Sequence, residues 1–279
     1  MNVRKVNYKE SGCPREFSIS LRETGFSVLN NHPIDISLIE TVYAEWGNFF
    51  HSDIKNNYLF TEKRQDGYFP FRTENAKGTS VKDLKEFFHV YEWGRFPKEL
   101  TNATLELKSQ LIELTSTLLK WIQDETPDEI TKLFSVPLPK MIEKSTTNLL
   151  RIIHYPPLDG SEEKEAIRGA AHEDINLITL LVSGTQPGLQ VQDVNGVWHD
   201  VSCDPGSIAV NTGDMLQMAS GGYYPSTTHQ IINPNGNIKN ESRYSMPLFL
   251  HPWDEVQLSK QYTARQYLDE RLKEIGLKN

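Results

Sequence analysis

The second half of the sequence is divided into short apolar segments by proline, glycine, asparagine and aspartate. Short strands at regular spacing, separated by residues that favour turns, are typical of antiparallel sandwiches and jelly rolls. The Asn195-Gly196 dipeptide, a strong hairpin signal, separates two of the segments. We therefore predict eight strands beyond about Thr147, over residues 148–155, 176–182, 189–193, 197–201, 207–211, 215–219, 229–233 and 244–250.

The first half shows helical periodicity instead, with apolar residues recurring every three or four positions. Asp35 is a candidate cap for one helix, Gly25 a candidate stop for another, and Pro127-Asp128 a break before a further short helix. Helices are predicted over 17–24, 36–50, 102–125 and 262–275, the last ended by Gly276. A strand is predicted over 26–29, regular structure over 83–91, and irregular chain over 55–80.

These patterns predict a mostly β protein in which a helical N-terminal layer packs on a jelly-roll core. At 279 residues the chain fits one large domain, and no linker composition divides it. We expect a single domain over 1–279, with a helical layer over 1–146, a jelly-roll core over 147–252 and a C-terminal helix within 253–279.

Composition limits the kinds of partner that the protein is expected to bind and the cellular compartment in which it is expected. The net charge of −8 and the pI of about 5.5 argue against nucleic acid as a partner. Two cysteines, Cys13 and Cys203, make no disulfide framework and suit a reducing cytoplasm. The first ten residues are polar, without the apolar region of a secretory signal, and no apolar run approaches the length of a membrane span. A cytoplasmic protein without membrane contact is expected.

The stretch 169–181 contains a candidate metal site. We interpret it as one strand, on which His172 and Asp174 share a face because alternate side chains of a strand point the same way. His229, 55 residues beyond Asp174, is a candidate third ligand at the start of another predicted strand. Two histidines and one carboxylate on one face of an ion form the facial triad typical of non-haem Fe(II) oxygenases.

A candidate anion site follows fourteen residues after His229. Arg243 and Ser245 are again separated by one residue, so a strand would present both on one face. The guanidinium group offers a bidentate fork for a carboxylate, and the hydroxyl adds a further donor. A small dicarboxylate could therefore bind the metal at one end and Arg243 at the other.

In these features the sequence resembles the isopenicillin N synthase-like 2-oxoglutarate- and Fe(II)-dependent oxygenases, the iron/ascorbate oxidoreductase family. The resemblance covers most of the chain and rests on the order and spacing of several motifs. They are His172-x-Asp174, His229, Arg243-x-Ser245, Tyr155-Pro156, Asn211-x-Gly213-Asp214-x-Leu216, Gly25-Phe26, Asn31-His32 and Trp198.

The resemblance implies a double-stranded β-helix, a cupin-like jelly roll, with Fe(II) held by His172, Asp174 and His229. It also implies 2-oxoglutarate as cosubstrate, its C5 carboxylate held by Arg243 and Ser245 with the aid of Tyr155, and ascorbate as a reductant. The implied reaction consumes O2, converts 2-oxoglutarate to succinate and CO2, and hydroxylates a small molecule, with desaturation and ring closure as variants.

Two alternatives and one departure from the family pattern accompany this interpretation. The Arg-x-Ser pair could hold the carboxylate of a substrate, as in an isopenicillin N synthase-like oxidase that uses Fe(II) and O2 without 2-oxoglutarate. A metal-bearing jelly-roll binding protein without turnover is the second alternative. Many plant-like members place an asparagine, which contacts the cosubstrate, two residues before the Tyr-Pro; here Ile153 stands there, followed by His154.

Overall fold

A computed structural model describes residues 1–75, 81–201, 204–236 and 238–274 of the chain. The strands are β1 (Lys5–Asn7), β2 (Phe26–Asn30), β3 (Gly67–Phe69), β4 (Glu86–Val90), β5 (Leu149–Tyr155), β6 (Gly169–His172), β7 (Ile178–Val182), β8 (Leu189–Gln192), β9 (Trp198–Asp200), β10 (Ile208–Thr212), β11 (His229–Ile231) and β12 (Arg243–Leu250). The α-helices are α1 (Cys13–Thr24), α2 (Ile36–Phe50), α3 (Ala103–Asp124), α4 (Asp128–Thr131), α5 (Leu138–Met141), α6 (Asp214–Ala219) and α7 (Ala264–Glu274), with a 3-10 helix over Asp53–Tyr58.

Two sheets face each other across an apolar interior. The larger sheet has the strand order β1-β2-β10-β7-β12-β5-β4-β3, and the smaller sheet has the order β6-β11-β8-β9. Each sheet takes four strands from the C-terminal half, and strands from the N-terminal half extend the larger sheet on both sides. Residues of both sheets share the interior, among them Phe26, Phe87, Ile153, Val191 and Ile231. This jelly-roll arrangement confirms the predicted fold class.

The helices cover the other face of the larger sheet. Buried residues of α1, α2 and α3, such as Phe17, Trp46 and Leu118, pack in one cluster with outward-facing sheet residues such as Leu180 and Leu248. Among the described helices, none combines the length and hydropathy that crossing a membrane would require.

Helix ends follow the local sequence. The Asp35 carboxylate accepts the backbone N–H of Ser37 at 2.9 Å and so caps α2. Gly25 ends α1 with φ at +70°, a backbone conformation that glycine adopts without steric cost. Both predicted boundaries are confirmed, whereas the predicted stop at Gly276 lies outside the described residues.

Seven of the eight segments predicted as strands in the C-terminal half contain strands. The prediction for 215–219 is wrong, because these residues form α6. The prediction of irregular chain over 55–80 is also wrong in part, since the segment includes most of the 3-10 helix and β3, whose three residues are all buried. The tight turn at Asn195-Gly196 does join β8 to β9, with Gly196 at φ +79°.

The stretch 169–181 is two strands rather than one. Between β6 and β7 the backbone bonds mainly to the start of α6: Asp214 donates its N–H to the carbonyl of Asp174 at 2.8 Å, and Met215 does the same to Asn176 at 3.1 Å. Only at the end of the connection does Leu177 donate to a strand, at the carbonyl of Leu250 in β12, 2.9 Å away. His172 therefore ends a strand, and Asp174 lies in the connection that follows it. The alternation argument for their common face was wrong, although both side chains do reach the same place.

A candidate metal centre and an anion site

Strand pairing brings the two histidines together. β6 and β11 are antiparallel neighbours, and His172 lies directly opposite His229 in their register. The Nε2 atoms of both histidines lie 3.8 Å from Oδ1 of Asp174. One ligand atom from each of the three residues can be chosen so that all lie within 4.8 Å of one another. The sequence-predicted triad is therefore assembled at one point of the fold.

Backbone carbonyls orient both imidazoles. Nδ1 of His172 lies 2.8 Å from the carbonyl oxygen of Ala170, and Nδ1 of His229 lies 3.1 Å from that of Thr227. A carbonyl oxygen only accepts hydrogen bonds, so each Nδ1 carries the proton and donates it. Each Nε2 then presents its lone pair towards the Asp174 carboxylate, in the tautomer that a metal ion requires.

The Asp174 carboxylate is also held in place. Its Oδ2 accepts hydrogen bonds from the Thr179 hydroxyl at 2.6 Å and from the Asn211 amide at 2.8 Å, which leaves Oδ1 directed at the histidines. Burial alone would raise the pKa of this carboxyl, but the two imidazoles and the two hydrogen bonds hold it below its ordinary value. The Asp174 side chain is therefore anionic at neutral pH, as a metal-binding carboxylate must be.

Gly213 permits the close approach of α6 to Asp174. A Cβ atom at this position would lie 2.2 Å from the carbonyl oxygen of Asn176 and 2.8 Å from that of Asp174. Both distances are well below van der Waals contact, so a side chain would displace the backbone that carries the carboxylate. The Asn211-x-Gly213-Asp214 motif thus supplies one hydrogen bond and the space that the Asp174 backbone needs.

The triad suits an iron ion with open coordination positions. The side chains of Asp174 and His229 are 5% and 10% exposed, whereas that of His172 is 42% exposed, so one side of the cluster is accessible. Two imidazole nitrogens and one carboxylate oxygen match the ligand set of non-haem Fe(II) oxygenases. A closed structural zinc site would need a fourth protein ligand, and the described residues place no cysteine in the cluster.

The predicted anion-binding residues lie together on the inner face of the larger sheet. Arg243 is opposite Tyr155, and Ser245 opposite Ile153, in the antiparallel pairing of β12 with β5. Arg243 is 2% exposed, and its guanidinium carbon lies 5.0 Å from the Tyr155 ring centroid. Its Nε donates to the carbonyl of Gln186 at 3.0 Å, but within the described residues its Nη1 meets no acceptor. The arrangement leaves a buried donor without a partner, as a site for an anionic ligand would.

The departure at Ile153 is real, and His154 does not compensate for it. Ile153 belongs to the apolar interior between the sheets. His154 faces the opposite side of the sheet, where its Nδ1 lies 2.7 Å from Glu86 and its Nε2 2.9 Å from Ser242. Burial lowers its pKa, although the Glu86 carboxylate acts against this shift. His154 therefore lies outside the candidate site.

A buried ionic network next to the triad was not predicted from the sequence. The Lys85 ammonium lies 2.8 Å from carboxylate oxygens of both Glu74 and Asp83, and Arg151 lies 3.0 Å from Glu74. Asp83 also accepts the backbone N–H of Ala170, two residues before His172. The charged residues of this network are scattered between positions 74 and 151, so no local sequence pattern indicates it.

Comparisons with known proteins agree with this geometry. The model of the 2OG-Fe(II) oxygenase superfamily matches residues 146–252, and the model of the N-terminal region of non-haem dioxygenases, described from morphine synthesis, matches residues 13–109. A 2-oxoglutarate-dependent dioxygenase of Monascus ruber is 28% identical over 84% of this chain and 79% of its own.

Solved structures extend the likeness to the whole chain. A putative oxygenase from Shewanella oneidensis is 52% identical, covers 99% of both chains and superposes with a TM-score of 0.90. A putative 2OG-Fe(II) oxygenase family protein from Caulobacter crescentus is 27% identical, covers 98% of this chain and 99% of its own, and gives a TM-score of 0.82. The chain belongs to the 2OG-Fe(II) oxygenase superfamily and is a non-haem Fe(II)- and 2-oxoglutarate-dependent dioxygenase.

Proposed function

We propose that His172, Asp174 and His229 bind the catalytic Fe(II), and that Arg243 and Ser245, aided by Tyr155, bind the C5 carboxylate of 2-oxoglutarate. The observation that carries the proposal is the convergence of three oriented ligand atoms within 4.8 Å. The buried and incompletely paired Arg243 supports the second half. We further propose that residues 1–279 act as a single oxygenase domain, with 1–146 as the N-terminal layer, 147–252 as the jelly-roll core and 253–279 as the C-terminal helical segment.

Each residue has a separate task in this proposal. Iron with bound 2-oxoglutarate would supply the oxidative chemistry: O2 is consumed, 2-oxoglutarate becomes succinate and CO2, and an oxygen atom is available for the substrate. The carbonyls of Ala170 and Thr227 fix the imidazole tautomers, and Thr179 and Asn211 fix the carboxylate. Arg243 orients the cosubstrate by a charge-assisted hydrogen bond at the end remote from the metal.

The primary substrate is a small molecule, and the charged residues on the inner face of the larger sheet favour a polar one. Register places Arg151 on the same face of β5 as Ile153 and Tyr155, and Arg151 lies within the paired ionic network of Lys85 and Glu74. A polar substrate that exchanges hydrogen bonds with this network fits better than a fully apolar one. Hydroxylation is the proposed outcome, with desaturation and ring closure as variants.

Release of CO2 from 2-oxoglutarate labelled at C1 tests the proposal without knowledge of the substrate. With Fe(II) and O2, the wild-type protein is expected to release labelled CO2 slowly, and more rapidly with a substrate. His172→Ala and His229→Ala should abolish release because each removes a ligand, while His51→Ala, which changes an exposed histidine at the end of α2, should not. Wild-type activity in the absence of iron, or full activity of His229→Ala, would refute the assignment of the metal ligands.

A screen of small molecules coupled to succinate release then identifies the substrate. A compound that stimulates wild-type protein but not Arg243→Met at low 2-oxoglutarate concentration would be turned over at this site. Because Arg243→Met lowers cosubstrate affinity, raising the concentration of 2-oxoglutarate should restore part of its activity. O2 consumption with a substrate but without release of labelled CO2 would instead indicate an oxidase that does not use 2-oxoglutarate.

A further inference from the structure

Arg168 is a second buried arginine beside the anion site. It immediately precedes β6, and none of its surface is exposed. Its Nη2 donates to the carbonyl of Glu241 at 2.8 Å, and its backbone N–H donates to the Asn233 amide oxygen at 3.0 Å. Its Nε and Nη1 are buried, and neither meets an acceptor among the described residues. Two guanidinium donors are therefore available for a ligand.

No carboxylate of the described chain forms an ion pair with Arg168 or Arg243. Burying an uncompensated guanidinium is costly, and burying two near each other is more so. Side chains that lower the stability of a protein in this way are typical of binding sites, where a ligand of opposite charge offsets the cost.

The chain path places the two arginines at the same end of the jelly roll. The carbonyl that Arg168 contacts belongs to Glu241, two residues before Arg243. Burial and the neighbouring Arg243 charge lower the pKa of Arg168 to about 10, while Tyr155 acts in the opposite direction. Arg168 is therefore close enough to interact electrostatically with Arg243 and Tyr155, the residues that flank the proposed carboxylate site.

We propose that Arg168 is a second guanidinium ligand of the C5 carboxylate, binding it together with Arg243 and making the site selective for 2-oxo acids that carry a second carboxylate. The proposal rests on the assignment of Arg243 to the cosubstrate. The unpaired Nε and Nη1 groups of Arg168 supply donors to a carboxylate that a single arginine and one serine would leave incompletely bonded. The uncompensated charge of the two guanidinium groups should also favour a dianion over a monoanion.

A purely structural role makes a different prediction. If Arg168 only supports the Glu241 carbonyl and the segment before Arg243, its loss would lower the stability of the protein and weaken the binding of every 2-oxo acid alike. A ligand role weakens only the binding of acids with a carboxylate at C5. 2-Oxopentanoate separates the two cases, because it has the same chain length as 2-oxoglutarate and a methyl group in place of that carboxylate.

Equilibrium dialysis of the Fe(II)-loaded protein without O2 measures these affinities directly. For 2-oxoglutarate, Arg168→Met and Arg243→Met should each raise Kd about 10-fold or more. For 2-oxopentanoate, Kd should stay within about twofold of the wild-type value in both variants, since the lost donors contact nothing in it. Arg4→Met is the control, because Arg4 pairs with Glu16 and Glu23 at the N-terminal edge of the larger sheet.

The outcomes separate the two assignments. A raised Kd in Arg243→Met with an unchanged Kd in Arg168→Met overturns the role of Arg168 and leaves the proposed function intact. An unchanged Kd in Arg243→Met overturns the proposed function itself. Equal weakening of both acids by Arg168→Met also overturns the inference, because it indicates a structural role.

A conservative variant keeps the test decisive if Arg168→Met does not fold. Arg168→Lys retains the charge and loses the planar fork, so we expect a 2-oxoglutarate Kd between those of wild type and Arg243→Met. The increase in Tm on adding 2-oxoglutarate should shrink in the same order, whereas the increase on adding 2-oxopentanoate should not change. A Kd of Arg168→Lys equal to that of wild type for both acids would contradict the proposal.

Discussion

Arg243 lies directly opposite Tyr155 in the β12–β5 pairing, and its guanidinium carbon is 5.0 Å from the centroid of the Tyr155 ring. The aromatic face stabilises a buried cation that forms only one hydrogen bond to the described backbone. Register rather than proximity in sequence produces this contact, because 88 residues separate the two positions. Along the chain, β5 precedes the three candidate metal ligands and β12 follows them, so this pair connects the strands on either side of that segment.

Replacing Tyr155 tests the value of this contact for cosubstrate binding. Tyr155→Leu removes the ring, and with about 1–2 kcal/mol of cation–π attraction lost, the KM for 2-oxoglutarate should rise roughly 5- to 30-fold. Tyr155→Phe keeps the ring and should show a smaller rise, equal to the contribution of the hydroxyl. Steady-state release of succinate measures both, and equal KM values for the two variants would contradict a role for the ring.

Thr179 is expected to control iron affinity without contacting the metal. Thr179→Val is nearly isosteric but removes the hydroxyl that donates to Oδ2 of Asp174 at 2.6 Å. Loss of such a supporting hydrogen bond typically weakens metal binding about 10- to 100-fold. Anaerobic calorimetric titration with Fe(II) measures the effect. Thr41→Val, which changes an exposed helix residue, is the control, and identical iron affinities in the two variants would refute the prediction.

Gly213 should tolerate no side chain. In Gly213→Ala the new Cβ would lie 2.2 Å from the Asn176 carbonyl oxygen, which is backbone and cannot rotate away. We expect the free energy of unfolding to fall by about 3 kcal/mol or more, at the upper end of overpacking effects. Gly12→Ala is the matched control, because a Cβ there has no heavy atom within 4 Å. Urea unfolding of both variants measures the difference, and similar midpoints would contradict the prediction.

Asp66 should contribute stability that depends on pH. Its carboxylate is fully buried and accepts hydrogen bonds from the Arg64 side chain and, at 2.7 Å, from the Arg95 backbone N–H. Although burial opposes ionisation, these bonds lower the pKa of Asp66 to about 2.

The sign of this dependence follows from the lowered pKa. The stabilisation is complete above the ordinary pKa near 3.8 and disappears as pH falls towards 2, where the carboxyl becomes protonated in the folded state too. Asp66→Asn should therefore lose roughly 1–3 kcal/mol at pH 7 and show a weaker pH dependence between 4 and 2. Urea unfolding at several pH values provides the measurement, and parallel curves for wild type and variant would contradict it.

Most of the fold was predictable because burial imposes periodicity on long segments. The prediction for 36–50 matches the bounds of α2, and those for β5 and β12 agree to within one residue at each end. Short segments span too few residues to show a period. Residues 215–219 are mostly apolar and bounded by turn residues, as a strand would be, but Met, Leu, Gln and Ala favour a helix and none is β-branched. Helix propensity rather than hydrophobicity therefore decides the local structure of this segment.

The candidate metal ligands were predictable from residue types and spacing, although the local structure assigned to them was wrong. Asp174 reaches the histidines from an irregular connection that is bonded to α6, a contact between segments forty residues apart. Arg168 was missed for a different reason. An arginine before a strand has no pattern of its own, and only its burial and its unpaired donors distinguish it from a surface residue.

Anaerobic titration of the iron-loaded protein with 2-oxoglutarate tests the central claim most directly, because the charge-transfer absorption appears only when the 2-oxo acid chelates bound Fe(II). Wild-type protein should bind one Fe(II) per chain and develop the band at saturation. His229→Ala should bind little iron and give no band, and Arg243→Met should give the same band only at a higher 2-oxoglutarate concentration. Wild-type protein that binds iron without developing the band, or His229→Ala that develops it normally, would contradict the account.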